Sequence, residues 1–566
     1  MLRWNRRTFM LGAALAAAAA PASEARAQST QKRPPARNDL QRLIDAERKR
    51  IAEAMARDDI PGVAVCLIHD GKPAWIEGFG VTDRRSNRRV ADDTIFSIQS
   101  TSKNFTATAI MLAVQHGALD LDEPITSYMP DFTVHSRFEG APQRQMTLRM
   151  LLANRAGFTH EAPVGNNYDP AFPSFEAHVR SISRTWLRFP VGERYRYSNL
   201  GFDLAGYILQ VRTGMPFADW LETRLFEPLG MKDSTVATEV YAKSANRALG
   251  HHRDHETVPL KTPLIPSGGV YTSARDSAAY CMFHLNRGKA NGRTLLEEPL
   301  WNEMHAFPFG GDYSLGVIRS ELRHGSTDLR LLSHQGGGFG FGCVFDYCPQ
   351  AGLAWVAMFN RPASSAYRFG KQLIDEALTA RFGPARPRLP VGDLAPIELP
   401  AAWLQNYAGS YVGRNLTVEL KIQDGTLGMQ QGDTYIPIRF NSPSEMYIAG
   451  PKGEAVSYRY CAPSALEPAH LECSIGEKSL DYNEGARDLR GPDKPEWTRH
   501  VGTYRIHQWG KPTDEVIVHR KNGYLYLDQT RLITELEPGL FFTPDGEAVD
   551  FRGREPTWRN IRLQRI

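Results

Sequence analysis

The sequence predicts an α/β domain with an inserted helical lobe, followed by two small antiparallel β domains. Strand-like runs at 63–68 and 74–81 open the first region and runs at 342–347 and 353–359 close it, while the stretch between them has mostly helical periodicity. Five prolines within 384–400 then form a stiff linker. Beyond them, short strand-like runs alternate with Gly, Asn and Asp, a pattern typical of small β barrels.

The domain boundaries follow from these changes in composition and periodicity along the chain. With 566 residues the chain is long enough for several domains. The two β domains are predicted to be related barrels, because Tyr-Ala-Gly-Ser-Tyr at 407–411 reappears as His-Val-Gly-Thr-Tyr at 500–504. The expected segments are an α/β domain over 38–382, a linker over 383–400, and β domains over 401–490 and 496–566.

The first 27 residues have the features of a targeting segment. Arg6 and Arg7 precede a short Ala-rich apolar stretch, and Ala25-Arg26-Ala27 supplies a small-x-small cleavage pattern. This arrangement resembles the twin-arginine export signal, which implies that the twin-arginine export machinery carries the folded chain to the periplasm. We expect no stable membrane insertion after cleavage, because the apolar stretch is about half the length of a membrane-spanning helix. An uncleaved anchor is the alternative.

The charge balance argues against two classes of partner. Lys and Arg number 67 and Asp and Glu number 63, a net charge of +4, and residues 1–27 contribute +3 of it. The rest of the chain is nearly neutral and has no basic block, so neither nucleic acid nor an anionic membrane surface is an expected partner. The sequence leaves open whether the chain forms a homodimer.

The six cysteines are too few for a disulfide framework in a chain of this length. Cys343 and Cys348 lie in one predicted strand and cannot bridge without breaking it. Cys461 and Cys473 flank a loop between two strand-like runs and are the disulfide candidate, with free thiols as the open alternative. The lack of a C-x-x-C motif disfavours thiol redox chemistry and structural zinc.

The first chemical motif is Ser100-Thr101-Ser102-Lys103, at the start of a predicted helix. A serine and a lysine three residues apart share one face of a helix, so the amine can reach the hydroxyl. The helix N-terminus and burial both disfavour a protonated lysine, and a neutral lysine can take the proton of a nucleophilic serine. An ordinary helix start with a serine cap is the alternative.

Two later motifs carry further polar groups. Tyr197 and Asn199 follow a turn and precede a helix, so a phenol and an amide can point into one cleft. His334-Gln335-Gly336-Gly337 opens the last strand-like stretch, where glycines would let a substrate backbone pair with a sheet edge. A packed aromatic side chain and a flexible turn are the respective alternatives.

The order S-x-x-K, Y-x-N, H-x-G resembles the serine β-lactamase and penicillin-binding-protein family, in its branch of class C β-lactamases, esterases and D-aminopeptidases. Stretches typical of the same branch are 119–124, 147–152, 226–231 and 266–273. The resemblance covers 38–382 and implies a β-lactamase-like domain with an antiparallel sheet and a helical lobe.

The resemblance implies roles for the residues of the motifs. Ser100 would be the nucleophile and Lys103 its activating partner. Tyr197 would be a phenol that relays protons with Lys103, and His334 would lie on the strand opposite Ser100. No cofactor and no metal ion is implied.

The resemblance also implies how the substrate is held. Asn199, Gly336 and Gly337 would contact it, and the backbone N–H groups of Ser100 and Gly337 would form an oxyanion hole. The reaction would be acyl transfer through an acyl-serine intermediate, with water as the final acceptor.

The identity of the third motif bears on the substrate. Many relatives carry lysine where this chain has His334, and a neutral histidine is not a standing positive charge for a substrate carboxylate. We therefore expect esters or peptides rather than penicillins. The H-x-G form followed by two β domains resembles D-stereospecific aminopeptidases, which implies a small peptide or amide substrate and a D-aminopeptidase-like or related peptidase. An esterase or β-lactamase on the same scaffold is one alternative, and a penicillin-binding sensor or scaffold with slow or no turnover is another.

Overall fold

The structure is a computed structural model, and it describes the greater part of the chain. Within that part, no helix is both long and apolar enough to cross a membrane. The described residues are 37–169, 173–252, 259, 264–386, 396–412, 417–431, 433–449, 455–461, 470–475, 483–487, 492–528 and 531–566.

The α/β domain combines a central sheet with helices on both sides. Its helices are α1 Arg37–Asp58, α2 Ser102–Gln115, α3 Leu148–Leu152, α4 Phe175–Ile182, α5 Leu200–Thr213, α6 Phe217–Leu221, α7 Glu227–Leu229, α8 Thr238–Lys243, α9 Ile265–Gly268, α10 Ala274–Leu285, α11 Glu298–Met304 and α12 Lys371–Phe382. Its strands are β1 Gly62–His69, β2 Lys72–Gly80, β3 Phe96–Ser97, β4 Tyr271–Thr272, β5 Lys289–Ala290, β6 Arg293–Thr294, β7 Ile318–His324, β8 Thr327–Gly338, β9 Phe341–Cys348 and β10 Leu353–Phe359.

The central sheet joins the two ends of this domain. Its strand order is β2-β1-β10-β9-β8-β7, and every neighbouring pair is antiparallel. Alternate side chains of β1 point to opposite faces, so Val63 and Val65 pack with α1 and α12 while Ala64 and Cys66 pack with the helical lobe. Both faces are covered, and the predicted α/β layer with an inserted lobe is confirmed.

The C-terminal region contains two β structures. The first begins with α13 Ala401–Tyr407 and forms a nine-stranded antiparallel sheet of order β14-β13-β12-β11-β19-β18-β17-β16-β15, and the second is a closed antiparallel barrel of β20 to β27. The strands of the first are β11 Gly409–Val412, β12 Thr417–Gln423, β13 Thr426–Gln431, β14 Thr434–Pro437, β15 Arg439–Ser442, β16 Glu445–Ala449, β17 Ala455–Cys461, β18 His470–Ile475 and β19 Asn483–Arg487. Those of the barrel are β20 Gly502–Gln508, β21 Lys511–Lys521, β22 Tyr524–Leu527, β23 Arg531–Glu537, β24 Leu540–Phe542, β25 Ala548–Asp550, β26 Thr557–Trp558 and β27 Ile561–Arg565.

The five-residue echo between the β domains marks the same local structure twice. In both copies a short helical segment ends at the first residue of the echo and a strand begins at its glycine. The buried Tyr411 hydroxyl donates to the Tyr407 carbonyl at 2.7 Å, and the buried Tyr504 hydroxyl donates to the His500 carbonyl at 2.8 Å. The echo therefore fixes the entry of the first strand of each β domain.

The candidate disulfide falls on the strand pair β17 and β18. The backbone register places Cys461 opposite His470 and Cys473 opposite Tyr458. The side chains of both cysteines lie outside the described residues, so their pairing stays a prediction.

Candidate active site

The site is built where α2 begins beside β8. Between β3 and α2 the chain makes a tight turn at Gln99, whose φ of 50° is unfavourable for a residue with a side chain. The Gln99 amide donates to the Ser97 hydroxyl at 2.7 Å and holds this turn. Ser100 follows directly and is partly exposed, at the mouth of a cleft between the sheet and the lobe.

Lys103 lies one helical turn after Ser100, with no solvent exposure. Its Nζ lies 3.3 Å from Ser100 Oγ, 2.7 Å from Asn199 Oδ1 and 3.0 Å from the Ser267 carbonyl oxygen. A neutral amine has two hydrogens and one lone pair. The two oxygen acceptors, Asn199 and Ser267, take both hydrogens, so the lone pair is left for the Ser100 hydroxyl.

The electrostatic surroundings keep this amine easy to deprotonate. Burial is the largest effect and lowers the pKa of Lys103 to about 7, although the negative charges of Asp203 and Glu161 oppose it. The amine is therefore a base whose pKa lies near neutral pH, which suits proton transfer from a serine.

The Y-x-N motif approaches Lys103 from the start of α5. The Tyr197 ring centroid lies 4.7 Å from Lys103 Nζ. Asn199 is at the N-cap position of α5 but makes no capping hydrogen bond with its side chain. Its amide oxygen instead accepts from Lys103, so both predicted residues point at the amine.

The third motif lies on β8, on the other side of the cleft. His334 is buried, and its ring centroid lies 6.4 Å from that of Tyr197. Its Nδ1–H donates to the Gln335 carbonyl at 2.8 Å, which leaves Nε2 to accept from the Tyr313 hydroxyl at 3.1 Å. Burial, aided by Lys103, lowers the pKa of His334 to about 3, so this imidazole is uncharged at neutral pH.

The glycines after His334 let β8 approach the nucleophile. A Cβ on Gly336 would lie 2.0 Å from the Ile98 carbonyl oxygen and 3.0 Å from the Ser100 backbone nitrogen. A Cβ on Gly337 would lie 2.4 Å from the Tyr367 hydroxyl. The strand backbone thus runs along the nucleophile turn, where the oxyanion hole is predicted.

The structure brings all seven residues predicted from the motifs to one cleft. It adds residues that the motifs did not include, among them Tyr313 and the buried pair His178 and Asp203, joined at 3.1 Å. Asp203 also accepts from the Ser267 backbone N–H at 2.9 Å and so supports the carbonyl that contacts Lys103. The sequence contains a signal for Asp203, since it is a carboxylate one helical turn after Asn199 among the apolar residues that begin α5.

A cavity of about 230 Å³ extends from Gly337 to the C-terminal barrel. On the side of the α/β domain, the cavity is lined by Glu161, a buried carboxylate. Burial raises the pKa of Glu161, but hydrogen bonds from His160 and Asn167 outweigh this and hold the pKa below its usual range.

On the side of the C-terminal barrel, the same cavity is lined by Trp509 and Arg559. The barrel therefore contributes side chains beside the predicted oxyanion hole.

We expect kcat/KM to rise with pH through about 7, because the amine of Lys103 must be uncharged to accept the proton. Asp203 raises the pKa of Lys103, so Asp203→Asn is expected to move this rise to lower pH, by roughly one pH unit. Asp276→Asn, at a buried carboxylate on α10, is the control and should leave the midpoint in place. An unchanged midpoint in Asp203→Asn would show that the amine does not control the profile.

Comparison with known proteins agrees with the arrangement. The chain is 26% identical over 338 residues to the unguisins hydrolase ungD' of Aspergillus campestris, and the match covers 56% of this chain and 61% of that protein. It is 28% identical over 258 residues to Protein flp of Staphylococcus aureus, covering 44% of this chain and 50% of that protein. The chain thus spans 50 to 61% of the length of these curated relatives.

A solved structure shares the fold over a larger part of the chain. The crystal structure of SurE matches with a TM-score of 0.55 and 21% identity, covering 80% of this chain and 99% of SurE. The family model described as Beta-lactamase matches residues 48–379, more than half of the chain and the whole of the cleft between α2 and β8. Lys103 contacts both Ser100 and Asn199 inside that range, and the chain belongs to the β-lactamase family of serine hydrolases.

Proposed function

We propose that the protein is a peptidase or amidase that acts through an acyl-serine intermediate on Ser100. The observation that carries the proposal is the position of Lys103 Nζ between Ser100 Oγ and two oxygen acceptors. The amine takes the hydroxyl proton as Oγ attacks the carbonyl carbon, and it can return that proton to the leaving nitrogen. Water then attacks the carbonyl carbon of the acyl-serine while Lys103 takes a proton from it. The proton passes to Ser100 Oγ, and the carboxylic acid product is released.

Two features support an amide substrate with a free amine. Uncharged His334 offers no fixed positive charge to a carboxylate. The cavity beside Gly337 holds the buried carboxylate of Glu161, which can pair with a substrate ammonium, together with Arg559 on its barrel wall. The similarity to a protein named as an unguisins hydrolase also supports a hydrolytic activity. The alternatives are an esterase, a β-lactamase, or a penicillin-binding sensor or scaffold with slow or no turnover, each using the same active-site residues.

A substrate panel tests the proposal. Matched L- and D-aminoacyl p-nitroanilides, their N-acetylated forms, short-chain esters and one cephalosporin are assayed with the full chain, together with labelling by a fluorescent penicillin. Faster turnover of the free-amine anilides than of their acetylated forms supports the proposal. Turnover of esters alone or of the cephalosporin alone would contradict the proposal and favour an esterase or a β-lactamase. Durable penicillin labelling without turnover would contradict it and favour a penicillin binder.

Trp509 is expected to shape substrate selectivity. It lies in the turn between β20 and β21, donates its backbone N–H to the Tyr168 carbonyl at 3.0 Å and packs against Phe339 at 5.3 Å between ring centroids. Trp509→Ala should change the ratio of kcat/KM between bulky and small substrates by roughly tenfold, since it removes one wall of the cavity. Trp403→Ala, at a tryptophan 48% exposed on α13, is the matched control. Equal ratios in both variants would exclude a role of Trp509 in selectivity.

Export to the periplasm through the twin-arginine route is part of the proposal. Cys66, Cys281, Cys343 and Cys348 are buried free thiols of the α/β domain. A chain that folds before export encloses such thiols before it meets an oxidising compartment, which suits this route. Cell fractionation that finds the mature protein in the cytoplasm would contradict this part of the proposal.

A further inference from the structure

The C-terminal barrel docks on the α/β domain through the turn between β24 and β25. Gly546 in this turn has a φ of 81°, and a Cβ there would lie 2.2 Å from the Arg188 carbonyl oxygen. The buried Arg188 side chain forms ion pairs with Asp545 at 3.1 Å and with Glu547 at 3.3 Å. The turn is therefore seated closely against the catalytic domain and presents its carboxylates to it.

One of these carboxylates reaches a buried loop of the catalytic domain. The Thr159 hydroxyl donates to Glu547 Oε2 at 2.5 Å. Thr159 is 3% exposed and Glu547 2% exposed, so water does not compete for this hydrogen bond. A charge-assisted hydrogen bond in such a dry place is stronger than one between neutral groups.

The same loop holds the residue at the centre of the Y-x-N motif. The Ser198 hydroxyl donates to the Thr159 carbonyl at 2.6 Å, and the Ser198 backbone N–H donates to Asn154 Oδ1 at 3.0 Å. Ser198 lies between Tyr197 and Asn199 in the chain. The position of the loop thus fixes the position of the phenol and the amide that face Lys103.

We infer that Glu547 of the barrel is a positioning residue for the active site, acting through Thr159 and Ser198 on Tyr197 and Asn199. The barrel then does more than line the cleft, because it completes the support of the groups that hold the Lys103 amine. The inference rests on the proposed acyl-serine chemistry. A displacement of about 1 Å at such groups can slow a reaction by roughly 100-fold.

The test uses Thr159→Val in the full chain, which keeps the shape of the side chain and removes its hydroxyl donor. We expect kcat to fall by roughly 10- to 100-fold with little change in KM. The pH midpoint of kcat/KM should also shift, because Asn199 no longer holds the amine in place. Thr159→Ser restores the hydroxyl and is expected to recover most of the loss.

A matched control separates positioning from simple docking. Trp186→Leu weakens the same interface by removing a ring contact with Phe542 at 5.6 Å, but it leaves Thr159 and Glu547 in place. Its kcat should stay near that of the parent protein. If Thr159→Val is no slower than Trp186→Leu, or if Thr159→Ser fails to recover the rate, the inference is wrong.

A second measurement keeps the inference testable if Thr159→Val does not fold. Glu547→Gln removes the charge with little change in shape, and it is expected to lower kcat by roughly tenfold with little change in KM, because the hydrogen bond from Thr159 is then no longer charge-assisted. The rate of Ser100 labelling by a fluorescent fluorophosphonate serves as a readout that needs no substrate. Failure of the parent protein to be labelled contradicts the proposed function, whereas equal labelling of parent and variants contradicts only the positioning role.

Discussion

Ser100→Ala is expected to lower kcat by roughly 10⁴-fold or more while the protein keeps its fold. The substitution removes the only atom that the mechanism places in a covalent bond with the substrate, and Lys103 Nζ, 3.3 Å away, loses the hydroxyl that it would deprotonate. Ser100 is partly exposed, so the change creates no cavity in the core. Intact mass after incubation with substrate should show an acyl adduct on the parent protein and none on the variant.

Ser102→Ala provides the matched control for this experiment. Ser102 lies in the same turn but is fully buried, and its hydroxyl accepts from the Val270 backbone N–H at 3.0 Å. Its loss leaves a buried N–H unpaired and should cost about 1–3 kcal/mol of stability, with kcat of the folded enzyme little changed. If Ser100→Ala retained more than about a tenth of the parent activity, another residue would have to be the nucleophile.

The residues that could be predicted from the sequence are those whose relation is local. Ser100 and Lys103 are one helical turn apart, so any helix that begins there brings them together. The five-residue echo between the β domains was informative for the same reason. In each copy the hydroxyl of the last tyrosine, Tyr411 or Tyr504, donates to the carbonyl four residues earlier. In a motif of four or five residues, the local backbone conformation alone brings the interacting groups together.

The rest of the site depends on contacts between distant segments. Tyr313 meets His334 only because the loop before β7 folds across β8, and Trp509 reaches the cavity only because the barrel docks where it does. Glu547 is almost four hundred residues from Thr159 in the chain. No spacing rule in a single sequence relates such positions, and the tertiary structure alone brings them together.

The same distinction applies to the third motif. The sequence indicated that glycines after His334 would leave a strand backbone accessible, but it did not show which atoms would come close. The structure places the Ile98 carbonyl oxygen and the Ser100 backbone nitrogen against Gly336. Gly336 is therefore required by the close approach of the nucleophile turn.

Gly336→Ala is expected to lower kcat by roughly 10²- to 10³-fold, the effect of losing one donor of an oxyanion hole. The new methyl group would lie 2.0 Å from a backbone oxygen, so β8 has to move away from Ser100. The predicted pair of N–H donors, Ser100 and Gly337, then no longer converges on one oxygen. KM should change little, because the loss falls on the transition state.

Gly342→Ala on the neighbouring strand separates this effect from general destabilisation. The atoms nearest to its Cβ would be those of the Phe359 ring, at 2.0 Å, on the side of the sheet away from the lobe. We expect a lower thermal midpoint with kcat of the folded fraction retained. Because Gly342 pairs with Gly337 in the ladder, both variants disturb the same two strands, and only Gly336→Ala presses on the nucleophile turn. Equal kcat values in the two variants would mean that β8 does not build the oxyanion hole.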